Sequence, residues 1–451
     1  MTTFIRSIAV ALTVSVATAS AHAQSPAPGS DFWSSLGDST LVRLVSQTRA
    51  ANHEVRIASA RASEARAQRS SSALDLLPVV TTRGGVTRQR FATASFPGAS
   101  GAFPDQNVWD AGMSLSWEVD VFGRLRHSLR ARGAMSDAAE EDVRDAQVAL
   151  TAQTAAAYLS LRGAQDRLGV ARRNAENQRR TLDLTERRLE GGRGTRLDTE
   201  RARAQLSATL AVIPSLESTI ELARQRLRVL TSSERTDELT LAACDSGLAL
   251  PDLSRLDPAD ALVRERPDVR SAERQFAASR ALVGAARADY LPRVSIGGAA
   301  GYTGATARQL GDAGTPRYAV GPVVSWPAFD LGHVRAGVNA ARAVESEQRE
   351  RFELTVALAR EELESALVAY GKSRERLRLL DDAAAASGRA AELARLRYTE
   401  GGSDFLQVLD AERTLLDREN ERAVGRTDAE TALVAVYRAL GGANAGALAG
   451  R

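Results

Sequence analysis

The chain is poor in cysteine, in aromatic residues and in long apolar runs, and each shortage excludes a class of protein. Its single cysteine, Cys244, has no partner for an internal disulfide, so a disulfide-stapled domain is excluded. Aromatic residues are 5% of the 451 residues, too few for several compact cores. Alanine, arginine, glutamate and leucine dominate instead, a mixture typical of long helices or coiled coils.

The chain also lacks any block of charge of one sign. Its net charge is +3, with basic and acidic residues interspersed, so we expect no nucleic-acid partner. Four histidines, at positions 22, 53, 127 and 333, have no metal-ligand spacing. The glycine-rich stretch 190–195 lacks the Lys-Ser/Thr pair of a phosphate loop. We therefore expect no enzymatic activity, no metal and no cofactor.

The segment 1–23 is predicted to be a signal peptide. Arg6 precedes a short apolar core at positions 8–19, and the sequence Ala-His-Ala at 21–23 offers a cleavage site before Gln24. The core is too short to span a bilayer, although an uncleaved anchor is the alternative. No later run reaches about 18 apolar residues, so we expect an exported protein without a transmembrane helix.

Proline is absent from two long stretches, 105–213 and everything after Pro327. Because proline breaks helices, both gaps favour uninterrupted helices. The first gap holds a helical pattern over 124–189, which at about 1.5 Å per residue makes a rod of roughly 100 Å. The glycine-rich turn at 190–195 then reverses the chain, and a second helical run over 197–230 completes a hairpin.

The segment 109–121, WDAGMSLSWEVDV, alternates strictly between an apolar and a polar face, as a strand with one wet side does. The segment 318–328 repeats the apolar face, but its second face is small rather than polar. Two weaker strands are predicted over 78–91 and 292–302. About ten residues at about 3.3 Å each and a tilt near 40° span roughly 25 Å, the apolar height of an outer-membrane barrel.

Four such strands cannot close a barrel alone, since about eight is the minimum, so closure needs several chains. A soluble β-sandwich attached to a coiled coil is the alternative, because soluble strands alternate too.

The two halves of the chain resemble each other. LSWEVDVFGRLR at 115–126 matches VSWPAFDLGHVR at 324–335, so the numbering offset is 209. Upstream, LLPVVTTRGG at 76–85 matches YLPRVSIGGA at 290–299, where the offset is 214. The difference falls in the loop between the two strands of each half. Each half is therefore predicted to be a helix, two strands and a long helical hairpin.

Several stretches resemble the TolC/OprM-type outer-membrane efflux proteins, nearest the branch paired with resistance-nodulation-division pumps. The most specific are RERPDVRSAERQFAASRALVGAARADYLPRVSIGG at 264–298, GPVVSWPAFDLGHVRAGVNAARA at 321–343 and RYTEGGSDFLQVLDAERTLLDREN at 397–420. Weaker matches lie at 31–41 and 195–206. Many members of this branch begin with a lipidated cysteine; this chain does not, so we expect no lipid anchor.

The resemblance implies an α+β membrane protein and a homotrimer. Each chain would give four strands to a trimeric outer-membrane β-barrel, which continues as a long periplasmic helical barrel and has an internal two-fold repeat. The implied partners are outer-membrane lipid, a periplasmic adaptor protein and an inner-membrane transporter.

The repeat and the resemblance together divide the chain into nine predicted segments. These are a signal peptide (1–23), an N-terminal periplasmic segment and helix (24–77), a first β-hairpin (78–121), a first long helical hairpin (122–231), a linker (232–262), a helix (263–291), a second β-hairpin (292–329), a second long helical hairpin (330–440) and a C-terminal tail (441–451).

The resemblance also implies a gate where inner helical hairpins close the periplasmic end. RYTEGGSDFLQVLDA places Tyr398 and Asp410 at positions of closure, and TRLDTERA places Asp198 at the position of the tyrosine's partner. Gln407 stands where a first aspartate is often found, and Ser403 where a gate arginine occurs. We therefore expect a ring of one carboxylate per chain. A solvated helix face is the alternative for Asp198 and Asp410.

Two further sets of residues complete the predicted sites. Turn glycines would reverse the chain and, by the resemblance, dock the adaptor's tips: Gly191, Gly192, Gly194, Gly401 and Gly402. Strand aromatics would face lipid or its interfaces: Trp109, Trp117, Tyr318 and Trp326.

The predicted function is a passive exit duct of a tripartite efflux pump in the outer membrane of a Gram-negative bacterium. It would conduct small molecules, such as drugs or toxic compounds, out of the periplasm. A duct for type I protein secretion would have a similar fold. A periplasmic coiled-coil scaffold without a pore belongs to a different class, and the strict alternation over 109–121 argues against it because a scaffold needs no lipid-facing band.

Overall fold

The computed structural model describes residues 30–92, 98, 101–233, 247–253 and 259–442. The predicted signal peptide, Cys244 and most of the predicted C-terminal tail lie outside these residues. The helices are α1 Ser30–Ser35, α2 Ser39–Ala51, α3 His53–Leu74, α4 Arg124–Glu190, α5 Arg196–Thr231, α6 Ala259–Arg264, α7 Pro267–Ala288, α8 Leu331–Thr399 and α9 Phe405–Ala439. The strands are β1 Val79–Gln89, β2 Gln106–Val119, β3 Arg293–Gly304 and β4 Pro316–Ser325.

The four strands form one antiparallel sheet in the order β1-β2-β3-β4. Strand β4 ends at Ser325, short of the predicted position 328, because Pro327 has no N–H to donate to a ladder. Trp326 therefore follows the strand rather than lying on it, which corrects its predicted place. Within the described chain, β1 and β4 each pair along one edge, so the sheet presents two open edges.

Two long helices, α4 and α8, run the length of the molecule, and we call them the rods. Helix α4 has 67 residues and α8 has 69, each about 100 Å long at the usual rise. Helix α5 returns along α4 and continues through Pro214, while α9 returns along α8. Helix α4 also packs against α3, α7 and α9, so it joins the first half of the chain to the second. In the part of the chain described, no helix is both long and apolar enough to cross a membrane.

An aromatic cluster ties the start of the described chain to the end of its last helix. Phe32 and Trp33 of α1 stand 5.1 and 4.6 Å, ring to ring, from Tyr437 of α9. All three side chains are buried. Nearby, the Tyr158 hydroxyl of α4 donates to Asp38, the residue that caps α2. Burial of these rings fixes α1 and α2 against the middle of the rods.

A buried arginine joins three helices near the end of α9. Arg266, just before α7, donates to both carboxylate oxygens of Asp268 at 3.0 and 2.8 Å and to Glu362 of α8 at 2.8 Å. It also donates to the Ala439 carbonyl at the end of α9 at 2.8 Å. Burial opposes the charge of Arg266, but the bonds to Asp268 and Glu362 raise its pKa above the usual value.

Helices α4 and α9 lie close together at Gly163. A Cβ added at Gly163 would overlap the hydroxyl oxygen of Thr427. We expect Gly163→Val to destabilise the protein by about 1–3 kcal/mol because the added side chain would overlap Thr427 of α9. Thermal unfolding of the purified protein measures this. Gly169→Ala is the control, since that position of α4 meets only a flexible arginine side chain and should tolerate a methyl group. Equal midpoints for Gly163→Val and wild type would show that the crossing is loose.

Candidate gate at the helix tips

Both helical hairpins reverse at the same end of the molecule, and their turns follow the same plan. The Thr195 side chain caps α5 by accepting from the Asp198 N–H at 3.2 Å, and Asp404 caps α9 by accepting from the Gln407 N–H at 3.2 Å. Each turn has a glycine in the left-handed region, Gly192 at φ 71° and Gly401 at φ 80°. The other predicted turn glycines lie beside them: Gly191, Gly194 and Gly402.

Tyr398 is the centre of a small core between the two tips. Its side chain is buried, with the ring 5.7 Å from that of Phe405 and in one cluster with Ala202 of α5 and Val408 of α9. The guanidinium of Arg188, on α4, lies 3.9 Å above the Tyr398 ring and donates to the Tyr398 carbonyl at 2.6 Å. Arg188 therefore fastens the end of α8 to the end of α4.

Sequence reasoning missed Arg188. The available signal was its place in the last turn of a predicted helix, where a cation can bind free carbonyl groups. The carbonyl that it binds belongs to another helix, in the second half of the chain.

Asp198 does not bond to Tyr398 within one chain. Its half-buried carboxylate accepts from the Thr195 hydroxyl at 2.6 Å, and the described residues offer it no other side-chain partner. The predicted pairing of Asp198 with Tyr398 thus stays a prediction for contacts between chains.

Gln407 and Asp410 lie three positions apart on one face of α9, and both are exposed. Among the described residues, neither side chain takes part in a hydrogen bond or ion pair of its own chain. That face points away from the Tyr398 cluster. A carboxylate ring would need copies of Asp410 from other chains, so it too stays a prediction.

A buried carboxylate links the two hairpins about two turns above the tip. Glu412 of α9 is 3% exposed. Its Oε1 accepts from the Arg395 Nε of α8 at 2.8 Å and from the Thr181 hydroxyl of α4 at 2.9 Å. One oxygen atom therefore connects three helices.

The same contact surface of α4 and α9 is polar over several turns. Asn174, two helical turns before Thr181, donates to Glu419 at 2.8 Å. Between them Gln178 is buried, and both of its amide atoms lack a partner among the described residues. The hairpins are thus joined here by hydrogen bonds rather than by apolar packing, and a polar contact of this kind can part in water at a modest net cost.

We expect Glu412→Ala to lower the free energy of unfolding by roughly 1–3 kcal/mol, because it leaves Thr181 and the partly buried Arg395 without their acceptor. Glu412→Gln keeps an acceptor and should cost less. Glu421→Ala is the matched control, since that residue bonds Arg418 of its own helix at the surface and should be nearly neutral. Thermal unfolding compares the three; equal losses from Glu412→Ala and Glu421→Ala would contradict a structural role for Glu412.

The predicted lipid-facing aromatics divide into two pairs. Trp109 and Tyr318 lie on β2 and β4 toward the far end of the sheet. Trp117 and Trp326 lie at the end nearest the rods, and each indole N–H donates to a backbone carbonyl: Trp117 to Leu76 at 2.9 Å, and Trp326 to Tyr290 at 3.0 Å. These bonds fix both rings where the helices meet the sheet.

Within the described residues, no group of three His, Cys, Asp or Glu side chains could hold a metal ion.

Comparison with known proteins gives one consistent result. Residues 44–233 and 259–442 match the family model described as outer membrane efflux protein. The toluene efflux pump outer membrane protein TtgF of Pseudomonas putida is 31% identical over 368 residues, which cover 81% of this chain and 76% of TtgF. The outer membrane protein OprJ of Pseudomonas aeruginosa is 28% identical, with 97% of this chain and 95% of OprJ covered. The structure of the outer-membrane channel OprN superposes with a TM-score of 0.84 at 41% identity, over 92% of each chain.

Proposed function

The chain belongs to the outer membrane efflux protein family, and on that premise we propose that three copies of it close one barrel in the outer membrane. The protein is an outer-membrane channel that serves as the exit duct of an efflux pump. The open edges of its four-stranded sheet support the proposed closure, since four strands are about half of the smallest barrel. Three copies would supply twelve strands, and their rods would continue below the barrel as a tunnel.

The apolar side chains along both open edges support the same arrangement. They are exposed in a single chain, and those on one face of each strand include Val80 and Val86 on β1 and Tyr318, Val320 and Val324 on β4. A barrel that turns one face of each strand to lipid needs such residues on that face.

The matched bounds of the elements support an internal two-fold repeat. Helices α3 and α7 have 22 residues each, and their starts at His53 and Pro267 agree with the offset of 214. The ends of α4 and α8, at Glu190 and Thr399, agree with the offset of 209. The caps that precede α5 and α9 agree with that offset as well.

The gate that we propose is the core around Tyr398, held by Arg188. A duct that stayed open would leak across the outer membrane, so some closure is required. The contact between the tips involves few residues, so we expect its free energy to be small enough for a docking partner to overcome. A periplasmic adaptor bound at the glycine turns would be that partner, and an inner-membrane transporter would supply the energy that a passive duct lacks.

We further propose that the cargo consists of small organic molecules that harm the cell. One relative is named for toluene efflux, which supports this class over a protein cargo. The stretches at 264–298 and 321–343, which resemble the branch paired with pumps, also favour small molecules over a protein cargo.

Dye efflux tests the proposed function. The chain would be produced in a Gram-negative strain that lacks its own TolC-type channel, together with an adaptor and transporter of the resistance-nodulation-division class. We expect the protein in the outer-membrane fraction as a trimer, and lower accumulation of a fluorescent efflux substrate than in cells with the adaptor and transporter alone. A protein confined to the soluble periplasm would contradict the channel and favour the scaffold.

A further inference from the structure

We infer that the inner wall of the barrel carries a binding site for small organic anions with two or more acidic groups, built on Arg83 of β1 and Arg317 of β4. The inference rests on the proposed closure of three copies into one barrel. It goes further by giving the membrane-spanning part of the duct a charged site and a preferred class of cargo. The position of the site follows from the face of the sheet on which these two arginines lie.

The sheet separates apolar and polar side chains by face. Met113 pairs with Ala300, and Ala300 pairs with Tyr318, so these three residues share one face. Trp109 and Leu115 lie on it too, because side chains two positions apart on a strand point the same way. This apolar face is the one proposed to meet lipid.

Arg83 and Arg317 lie on the opposite face, in one row across the sheet. Arg83 pairs with Gly112, which pairs with Gly301. Gly301 pairs in turn with Arg317. Because Gly112 directly precedes Met113, this row points away from lipid. We call its side of the sheet the inner face, since closure of the barrel would turn it to the lumen.

No side chain stands between the two arginines of this row. A Cβ added at Gly112 would lie 2.6 Å from the Ala300 carbonyl oxygen. One added at Gly301 would lie 2.5 Å from the Ala111 carbonyl oxygen. These contacts are with backbone, so glycine is required at both positions. The row is therefore a bare strip of backbone, roughly 14 Å wide at three strand spacings, with an arginine at each end.

One carboxylate stands beside the two arginines, and it is bonded to only one of them. The Arg317 Nε donates to Asp110 at 3.1 Å and to the Thr303 hydroxyl at 2.9 Å, and that hydroxyl donates to Asp110 at 3.1 Å. In the described part of the chain, Arg83 is exposed and takes part in no hydrogen bond or ion pair. One positive charge per chain is thus left uncompensated on the inner face.

The remaining charges of the inner face are balanced. Within the four strands they are Glu118 and Arg293, both at the foot of the sheet. Glu118 accepts from Arg124 at 2.9 and 2.7 Å, and Arg293 donates to Asp289 at 2.7 Å. Neither pair offsets the charge of Arg83, so the inner face of each chain is positive.

A threefold barrel would bring three unpaired arginines to one height. Twelve strands about 4.8 Å apart and tilted by about 40° enclose a radius of roughly 12 Å. An extended arginine reaches about 6 Å from its Cα toward the axis, which leaves the three Arg83 guanidiniums roughly 10 Å apart. A small molecule with acidic groups at its two ends can span that distance.

The chemistry of the ring selects anions with several charges. A guanidinium is always charged, and its fork of donors matches the oxygens of a carboxylate or sulfonate. Rings of arginine also line pores that pass anions. Because the lumen holds water and salt, a single contact there is weak. An anion that reaches two or three guanidiniums adds these contacts together, so we assign the site to organic anions with two or more acidic groups.

Binding of a trisulfonated dye to the assembled protein tests the site. Pyranine, which carries three sulfonates, would be titrated with purified native trimers in neutral detergent at low salt while its fluorescence anisotropy is recorded. We expect saturable binding to the wild type, lost as salt is raised. Arg83→Gln should weaken binding by about tenfold or more, because it removes three charges from one ring.

Three further variants are matched to Arg83→Gln. Arg88→Gln removes the same charge from the same strand, but Arg88 lies on the other face and bonds Asp105, so it should bind like the wild type. Arg83→Lys keeps the charge and should retain most of the affinity. Asp110→Asn removes the carboxylate that occupies Arg317 and should tighten binding severalfold. All variants are compared as trimers that migrate like the wild type on native gels.

The outcomes separate the inference from the proposed function. Weaker binding by Arg83→Gln together with tighter binding by Asp110→Asn supports the inference. Equal affinities for Arg83→Gln and Arg88→Gln, or no binding by wild-type trimers, overturn it and leave the channel proposal standing. Should Arg83→Gln fail to assemble, an unchanged affinity of Asp110→Asn overturns it. A wild-type protein that is monomeric in native membranes overturns the proposed assembly, and the inference with it.

Discussion

Replacing Arg266 with alanine should remove most of the correctly assembled protein from the outer membrane. The substitution deletes four hydrogen bonds, leaves Asp268 without its arginine and leaves Glu362 only the longer ion pair to Arg438 at 3.6 Å. Removing one partner of a buried ion pair costs about 3–5 kcal/mol, and because both carboxylates are partly exposed the lower end of that range applies. A loss of this size is a large fraction of the roughly 5–15 kcal/mol that stabilises a typical domain.

The yield of outer-membrane trimer and its thermal midpoint measure the effect of Arg266→Ala. Arg270→Ala is the control, because that arginine is exposed on the same helix. Arg266→Lys should lie between the two, since a single ammonium cannot reproduce the paired bonds to Asp268. Wild-type yield and midpoint for Arg266→Ala would show that α7, α8 and α9 are held by apolar packing alone.

Replacing Arg188 with alanine should make the outer membrane leaky to bulky polar antibiotics that it normally excludes. The change removes the bond to the Tyr398 carbonyl and the cation above its ring, together worth roughly 1–3 kcal/mol. Since about 1.4 kcal/mol is a factor of ten, the open fraction should rise about five- to 150-fold. The inhibitory concentration of such an antibiotic, at equal protein levels, records the result.

Arg187→Ala is the control for Arg188→Ala, because Arg187 is its exposed neighbour on α4. Asp198→Ala separates two accounts of closure. If closure depends on Tyr398 and Arg188 within each chain, Asp198→Ala should leave sensitivity near the wild-type level. If Asp198→Ala leaks and Arg188→Ala does not, the tyrosine is held by the aspartate of a neighbouring chain, as the family resemblance implies.

The long elements could be predicted from the sequence because their signals are local and repeated. The proline-free stretch after Pro104 and the glycine turn at 190–195 locate α4 to within one position of its observed end at Glu190. The strict alternation over 109–121 locates β2. The predicted end of β4 at position 328 was wrong. The alternation continues through Pro327, but the hydrogen-bonded ladder ends at Ser325.

The side-chain contacts that hold the candidate gate could not be predicted, because each joins residues far apart in the sequence. Glu412 meets Thr181 from the other half of the chain, and no periodicity marks it among the many charged residues of α9. Arg188 is one of two arginines in the last turn of α4, and only the fold shows which of them reaches Tyr398. Asp410 and Gln407 could not be tested for a different reason. The ring predicted for them would be made by three chains, and a single chain contains no such contact.

Single-channel recording in planar lipid bilayers tests the central claim, a pore closed at its helix tips, most directly. Purified trimers of wild type and of the Arg188→Ala, Tyr398→Ala double variant would be compared at the same protein amount and salt. We predict discrete channels in both, with brief, small openings in the wild type and sustained openings of larger conductance in the variant. An absence of discrete conductance from either protein would contradict the pore, and identical traces from the two would place its closure elsewhere.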